Sequence, residues 1–75
     1  MYTIQTFELG LPDWGAYHQS NDPSLPIKEF ASRAEAEEFA RNLSTVEICL
    51  ARVLDEQGNA LVAYDNAREF NPKMR

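Results

Sequence analysis

Two apolar, β-prone segments joined by one short turn constrain this chain more than any other feature. Val46 to Leu54 is rich in β-branched and aliphatic side chains, Ala60 to Tyr64 is similar, and Asp55-Glu56-Gln57-Gly58 stands between them. Asp at the first position of a type I turn and Gly at the last, where φ is positive, predict a three-residue hairpin loop with a glycine bulge. That turn sets an expected register of Asp55 opposite Asn59, Val53 opposite Leu61, Ala51 opposite Ala63 and Leu50 opposite Tyr64. With side chains alternating, one face collects Ile48, Leu50, Leu54, Val62 and Tyr64, and the other Cys49, Ala51, Val53, Leu61 and Ala63. Both faces are apolar.

The segment from about Arg33 to Leu43 reads as the helix that covers one of them. Ser32 followed by Glu35 fits a capping box, alanines are abundant, and Ala36, Phe39, Ala40 and Leu43 recur at helical spacing. Arg33, Glu37 and Arg41 form a ladder of alternating charge on the opposite, solvated face, whose pairs add ~0.2–0.5 kcal/mol each. One helix covers one side of a sheet. The second apolar face therefore requires the loop around Trp14 and Pro26, another subunit, or a partner. Arg52 speaks against complete burial of the larger face unless its stem packs and its head emerges.

Elsewhere, Tyr2 to Leu9 predicts a first strand, broken by Gly10-Leu11-Pro12-Asp13. Trp14 to Gln19 reads as a short second strand, Ser20 to Pro26 as an ordered loop, and Ile27 to Phe30 as a further short strand. The tail from Ala67 has one aromatic, Phe70, is assigned no element, and is expected to be loose from about residue 71. The expected fold is a single α+β domain over 1–75. It has a small antiparallel sheet of four or five strands with one helix on one face, in the order β-β-(β)-α-β-β. A chain of 75 residues buries only ~60% of the surface its unfolded form exposes. At 44% hydrophobic residues it is too apolar for a disordered tail, and its apolar runs fall short of the ~20 residues a membrane span needs. The N-terminus has neither a basic region nor a continuous apolar segment, and there is one cysteine, Cys49; both favour a cytoplasmic protein without disulfides.

Twelve acidic residues against seven basic ones give a net charge of −5, which repels nucleic-acid phosphates and favours a basic partner surface. Motifs for catalysis, metal or phosphate binding are not recognisable. Cys49 and His18 could form a nucleophilic pair on paper, but a cysteine between Ile48 and Leu50 reads as a buried strand residue and His18 as a loop or edge residue. Glu35, Glu37 and Glu38 invite a metal reading, yet Glu37 points away from the other two and no histidine completes a site. They read better as an acidic, solvated surface, for which solubility alone is a sufficient reason. No cofactor or metal is expected, and too few polar groups converge for an enzyme.

The candidate partner-binding residues are Trp14, Tyr17 and Tyr64 as aromatic anchors, with Glu35 and Glu38 as acidic contacts; core packing competes for all three aromatics. The expected function is a small acidic protein-interaction module that binds a larger protein or ribonucleoprotein with a partly basic surface. The alternative is a homo-oligomeric accessory protein that dimerises through the second sheet face. In size, acidity and helix-plus-hairpin plan the chain resembles small phage or mobile-element inhibitors, including anti-CRISPR proteins. The resemblance lies in architecture, implies stoichiometric blocking of a larger machine, and assigns no site.

Overall fold

A computed structural model describes residues 1–8, 13–46 and 49–72, with the side chain of Cys49 outside the description. The sequence readings at Leu9 to Pro12, at Ile48, at the Cys49 thiol and over 73–75 therefore lie outside the described residues. Among the described residues five strands form one antiparallel sheet: β1 (Thr3–Glu8), β2 (Gly15–Ala16), β3 (Cys49–Leu54), β4 (Ala60–Asp65) and β5 (Arg68–Phe70). Their spatial order is β2-β1-β3-β4-β5. The helix α1 (Arg33–Val46) lies between β2 and β3 in sequence and packs against β1, β3 and β4. The chain is thus an α+β fold in the order β-β-α-β-β-β.

Helix α1 starts where the cap predicts, with the Glu35 N–H donating to Ser32 Oγ at 3.4 Å. It runs on past Leu43 to Val46, the residue at which the sequence predicts the strand to begin. The extra turn is held locally: Ser44 Oγ donates to the Arg41 carbonyl at 2.7 Å and Thr45 Oγ1 to the Asn42 carbonyl at 2.8 Å. Ala36, Ala40 and Ser44, four residues apart, form the buried stripe. Small side chains there let the helix backbone sit close to the sheet, over a core of Ile4, Phe30, Ala51, Val53, Val62 and Tyr64.

The β3–β4 turn forms as the sequence indicates. Gly58 has φ 83° and donates to the Asp55 carbonyl at 3.1 Å, and the Asp55 N–H donates to Asn59 O at 3.0 Å. Asp55 Oδ1 also accepts from the Gln57 and Asn59 N–H groups, both at 2.9 Å. Beyond the turn the register differs from the expected one. Leu54 pairs with Ala60 but Val53 pairs with Val62, so Leu61 is an extra residue in β4. Arg52 consequently faces Ala63, Ala51 faces Tyr64 and Leu50 faces Asp65. A shift of one residue turns every later side chain of β4 over. Val62 and Tyr64 therefore join Ala51 and Val53 under the helix, while Ala63 joins Leu50, Arg52 and Leu54 on the other face.

Two further expectations are corrected. Ile27 to Phe30 is not a strand: it makes isolated bridges, Ile27 to His18 and Phe30 to Tyr2, as the chain passes from the end of β2 to the start of β1. No single neighbour runs beside it long enough to form a ladder. The tail, conversely, supplies β5, which pairs with β4 through Ala63–Phe70, Tyr64–Glu69 and Asp65–Arg68. Its turn has Asn66 at φ 49° and Ala67 at φ 67°, a two-residue connection with both centres left-handed, which hides from sequence because Ala stands where Gly is usual. The Ala67 N–H donates to Ser44 Oγ at 2.8 Å, so the buried serine that closes the helix also anchors this turn.

Left-handed backbone costs an L-residue roughly 1–2 kcal/mol. Ala67→Gly should therefore raise stability by about 1 kcal/mol, read as an increased urea midpoint with unchanged slope. Ser44→Ala should lower it by about 0.5–1.5 kcal/mol by removing the acceptor of the Ala67 N–H. Equal midpoints for wild type and Ala67→Gly would show that the turn is unstrained.

Candidate functional site: the helix-free face of the sheet

The face of the sheet opposite α1 is built from alternate residues of neighbouring strands. Gln5, Arg52, Ala63 and Phe70 lie in one row across β1, β3, β4 and β5, and Phe7, Leu50, Asp65 and Arg68 in the next. Ala63 is fully buried and Leu54 nearly so, yet neither belongs to the core cluster beneath the helix. This face thus has a small packed layer of its own.

Trp14, just before β2, folds over that layer. Its ring lies 5.5 Å from Phe7, tilted by 58°, and 4.1 Å from the Arg52 guanidinium carbon. Arg52 is fixed in its plane as well, because Nε and Nη2 both donate to Gln5 Oε1, at 2.9 and 2.6 Å. Its pKa is lowered by desolvation, consistent with a stem packed on the sheet and a head at the surface. Among the described residues Arg52 makes no ion pair. Phe7, Trp14, Leu50, Arg52, Phe70 and Pro72 together line a half-open groove of about 280 Å³.

The sequence-predicted contact residues are dispersed over the molecule. Trp14 is half-buried in this groove. Tyr17 lies on the helix side, its ring edge-on to Phe39 at 5.3 Å. Glu35 and Glu38 are exposed and border a shallow depression of about 330 Å³ with Lys28, Phe30, Phe39 and Asn42. The Lys28 ammonium sits 5.2 Å from the Phe30 ring and 5.6 Å from Phe39. Glu37 is turned away from its acidic neighbours and accepts from Arg33 Nε at 2.6 Å, which raises the Arg33 pKa. Tyr64 is only 3% exposed and belongs to the core. The one-residue register shift is what moves it there, off the face where the hairpin turn alone would put it.

His18 and Cys49 are far apart along the backbone. The Tyr17 N–H, beside His18, bonds to Ile4 O, while Cys49 pairs with Glu8 near the other end of β1. At ~3.3 Å per residue that places them more than ~10 Å apart along the strand. His18 Nδ1 donates to Leu25 O at 2.6 Å and so ties down the loop between Gln19 and Pro26. Among the described residues no three potential metal ligands cluster, and no helix is long and apolar enough to cross a membrane.

Sequence reasoning flagged Trp14 and noticed Arg52 but missed Gln5, Phe7, Leu50, Phe70 and Pro72 as parts of one site. The available signal was weak: a lone arginine inside an apolar strand, and a phenylalanine in phase with Thr3 and Gln5 rather than with Ile4. The chain matches no protein-family model, no curated protein and no solved structure. The geometry of this face carries the functional reading.

Tyr64 provides a pH test of the core assignment. Burial pushes its phenol pKa up, with the Glu37 and Glu69 carboxylates adding to the effect and Arg41 and Arg33 opposing it. A group whose pKa is higher folded than unfolded contributes stability that is complete below its unfolded value and lost as pH rises through the folded one. Urea midpoints should therefore fall as pH rises above about 10, the ordinary tyrosine value. The fall should be smaller in Tyr64→Phe; an identical alkaline slope in both proteins would place the phenol in solvent.

Proposed function

We propose that this protein is a small interaction module that holds a larger polypeptide partner on the helix-free face of its sheet. It acts by occupying that partner, as a stoichiometric inhibitor does, with no chemical step of its own. The observation that carries the reading is the half-open groove beside Trp14, in which aromatic and aliphatic side chains surround one immobilised arginine. Binding energy at protein interfaces concentrates in aromatic and arginine anchors seated on a rigid support. Here the support is the packed layer of Ala63 and Leu54 and the strands beneath it.

The acidic residues serve a different part of the encounter. Glu35 and Glu38 sit on the helix, away from the groove, and the chain carries a net charge of −5. Exposed charge of this kind accelerates approach to a basic partner and penalises nucleic acid, while contributing little once contact is made.

Capture from a lysate of the native host, with the partner identified by mass spectrometry and then purified, tests this reading. Leu50→Glu and Trp14→Ala should each weaken binding of the purified partner by at least about tenfold, the scale of one interface anchor. Glu35→Lys with Glu38→Lys should slow association at low salt and leave dissociation unchanged. Full binding by Leu50→Glu refutes the assignment of the surface. A dimer mass in sedimentation that Leu50→Glu converts to monomer gives the face to a second copy of the chain instead.

A further inference from the structure

Resting on that reading of the helix-free face, we propose that Arg52 is its anion-reading centre. The groove takes an extended segment of the partner polypeptide in which a carboxylate stands beside apolar side chains. A guanidinium carries five N–H donors in a planar fork. Two of its nitrogens, Nε and Nη2, are directed at one neutral oxygen, Gln5 Oε1, which occupies the side edge of the fork. The end edge, formed by Nη1 and the second N–H of Nη2, meets no carboxylate among the described residues. The guanidinium carbon lies over the Trp14 ring, 4.1 Å from its centroid. What Arg52 has left to offer the groove it lines is therefore a fixed pair of parallel donors, the arrangement that a carboxylate accepts in two parallel bonds.

The surroundings strengthen this choice of ligand. Packing on Trp14 removes water from the cation, so a charge-assisted bond made there is less screened than one at an open surface. A phosphate is the poorer fit, because phosphate readers gather several basic residues around the anion, whereas among the described residues Arg52 is the one cation lining this groove, in a chain of net charge −5. The volume of about 280 Å³ holds one or two side chains rather than an enclosed small molecule. Phe7, Leu50, Phe70 and Pro72 supply the apolar contacts on either side of the charge. The protein thus reads an acidic residue on its partner even though its own surface is acidic: the acidic helix residues lie on the other layer, and Asp65, in the next row of this face, stands across from Arg68.

Selection of the immobilised protein against a random-peptide display library tests the proposal. Recovered peptides should share an Asp or Glu next to apolar residues. A synthetic winner should lose roughly ten- to a hundredfold in affinity for Arg52→Gln, the weight of a charge-assisted hydrogen bond. Arg52→Lys, which keeps the charge and lacks the fork, should lose most of the same affinity while retaining the native amide spectrum. Replacing the acidic residue of the peptide by its amide should cost the same factor against wild type and nothing further against Arg52→Gln. Winners without acidic residues, no winners at all, or undiminished binding by Arg52→Gln overturn the proposal. If Trp14→Ala and Leu50→Glu still abolish binding in that last case, the contact surface stands and only its carboxylate specificity falls. If they too bind normally, both readings fall.

Discussion

The extra residue at Leu61 decides which side of β4 meets the helix, and much of the molecule follows from it. Before the bulge, β4 is in phase with the turn; after it, Val62 and Tyr64 point to α1 and Ala63 points away. The large side chains of β4 thereby share one buried cluster with the small helix residues Ala36 and Ala40. Without the bulge, Ala63 would face two alanines across the layer. Core density would be lost where a domain of this size has little to spare.

The same bulge determines the character of the other face. With Tyr64 withdrawn, that surface keeps Ala63 and Leu54 as a thin buried layer. Arg52 lies across from Ala63, in a row with Gln5 and Phe70. A small residue opposite a long one leaves room for the arginine stem, and the guanidinium carbon lies over the Trp14 ring. Such a cation–π contact is worth ~0.5–2 kcal/mol according to how much water it excludes. It holds the segment before β2, which otherwise has only two paired residues, against the sheet.

Ser44 links these two layers to the end of the chain. It is buried in the helix stripe, donates to the helix backbone and accepts from Ala67 in the β4–β5 turn. The tail becomes a strand because β4 offers an open edge, Asn66 accepts a left-handed conformation readily, and the serine supplies an acceptor that stabilises the same conformation at Ala67. Phe70 and Pro72 reach the groove only as a result.

The sequence by itself determined what depends on neighbours a few residues apart. The Ser32 cap and helical alanines placed α1, the Asp55–Gly58 turn placed the hairpin, and the absence of a second helix implied a sheet covered on one side. Arg52 was legible as an anomaly. Tertiary structure alone decided the register beyond Leu54, the loss of a strand at Ile27 to Phe30, its gain at Arg68–Phe70, and the company Trp14 keeps. Each of these involves a contact remote in sequence, such as Ser44 with Ala67, Phe30 with Tyr2 and Trp14 with Arg52. A bulge leaves no local signature when no glycine marks it, and a strand forms only where an edge is free. Which face is core and which is open was therefore a property of the packed sheet rather than of either strand's pattern.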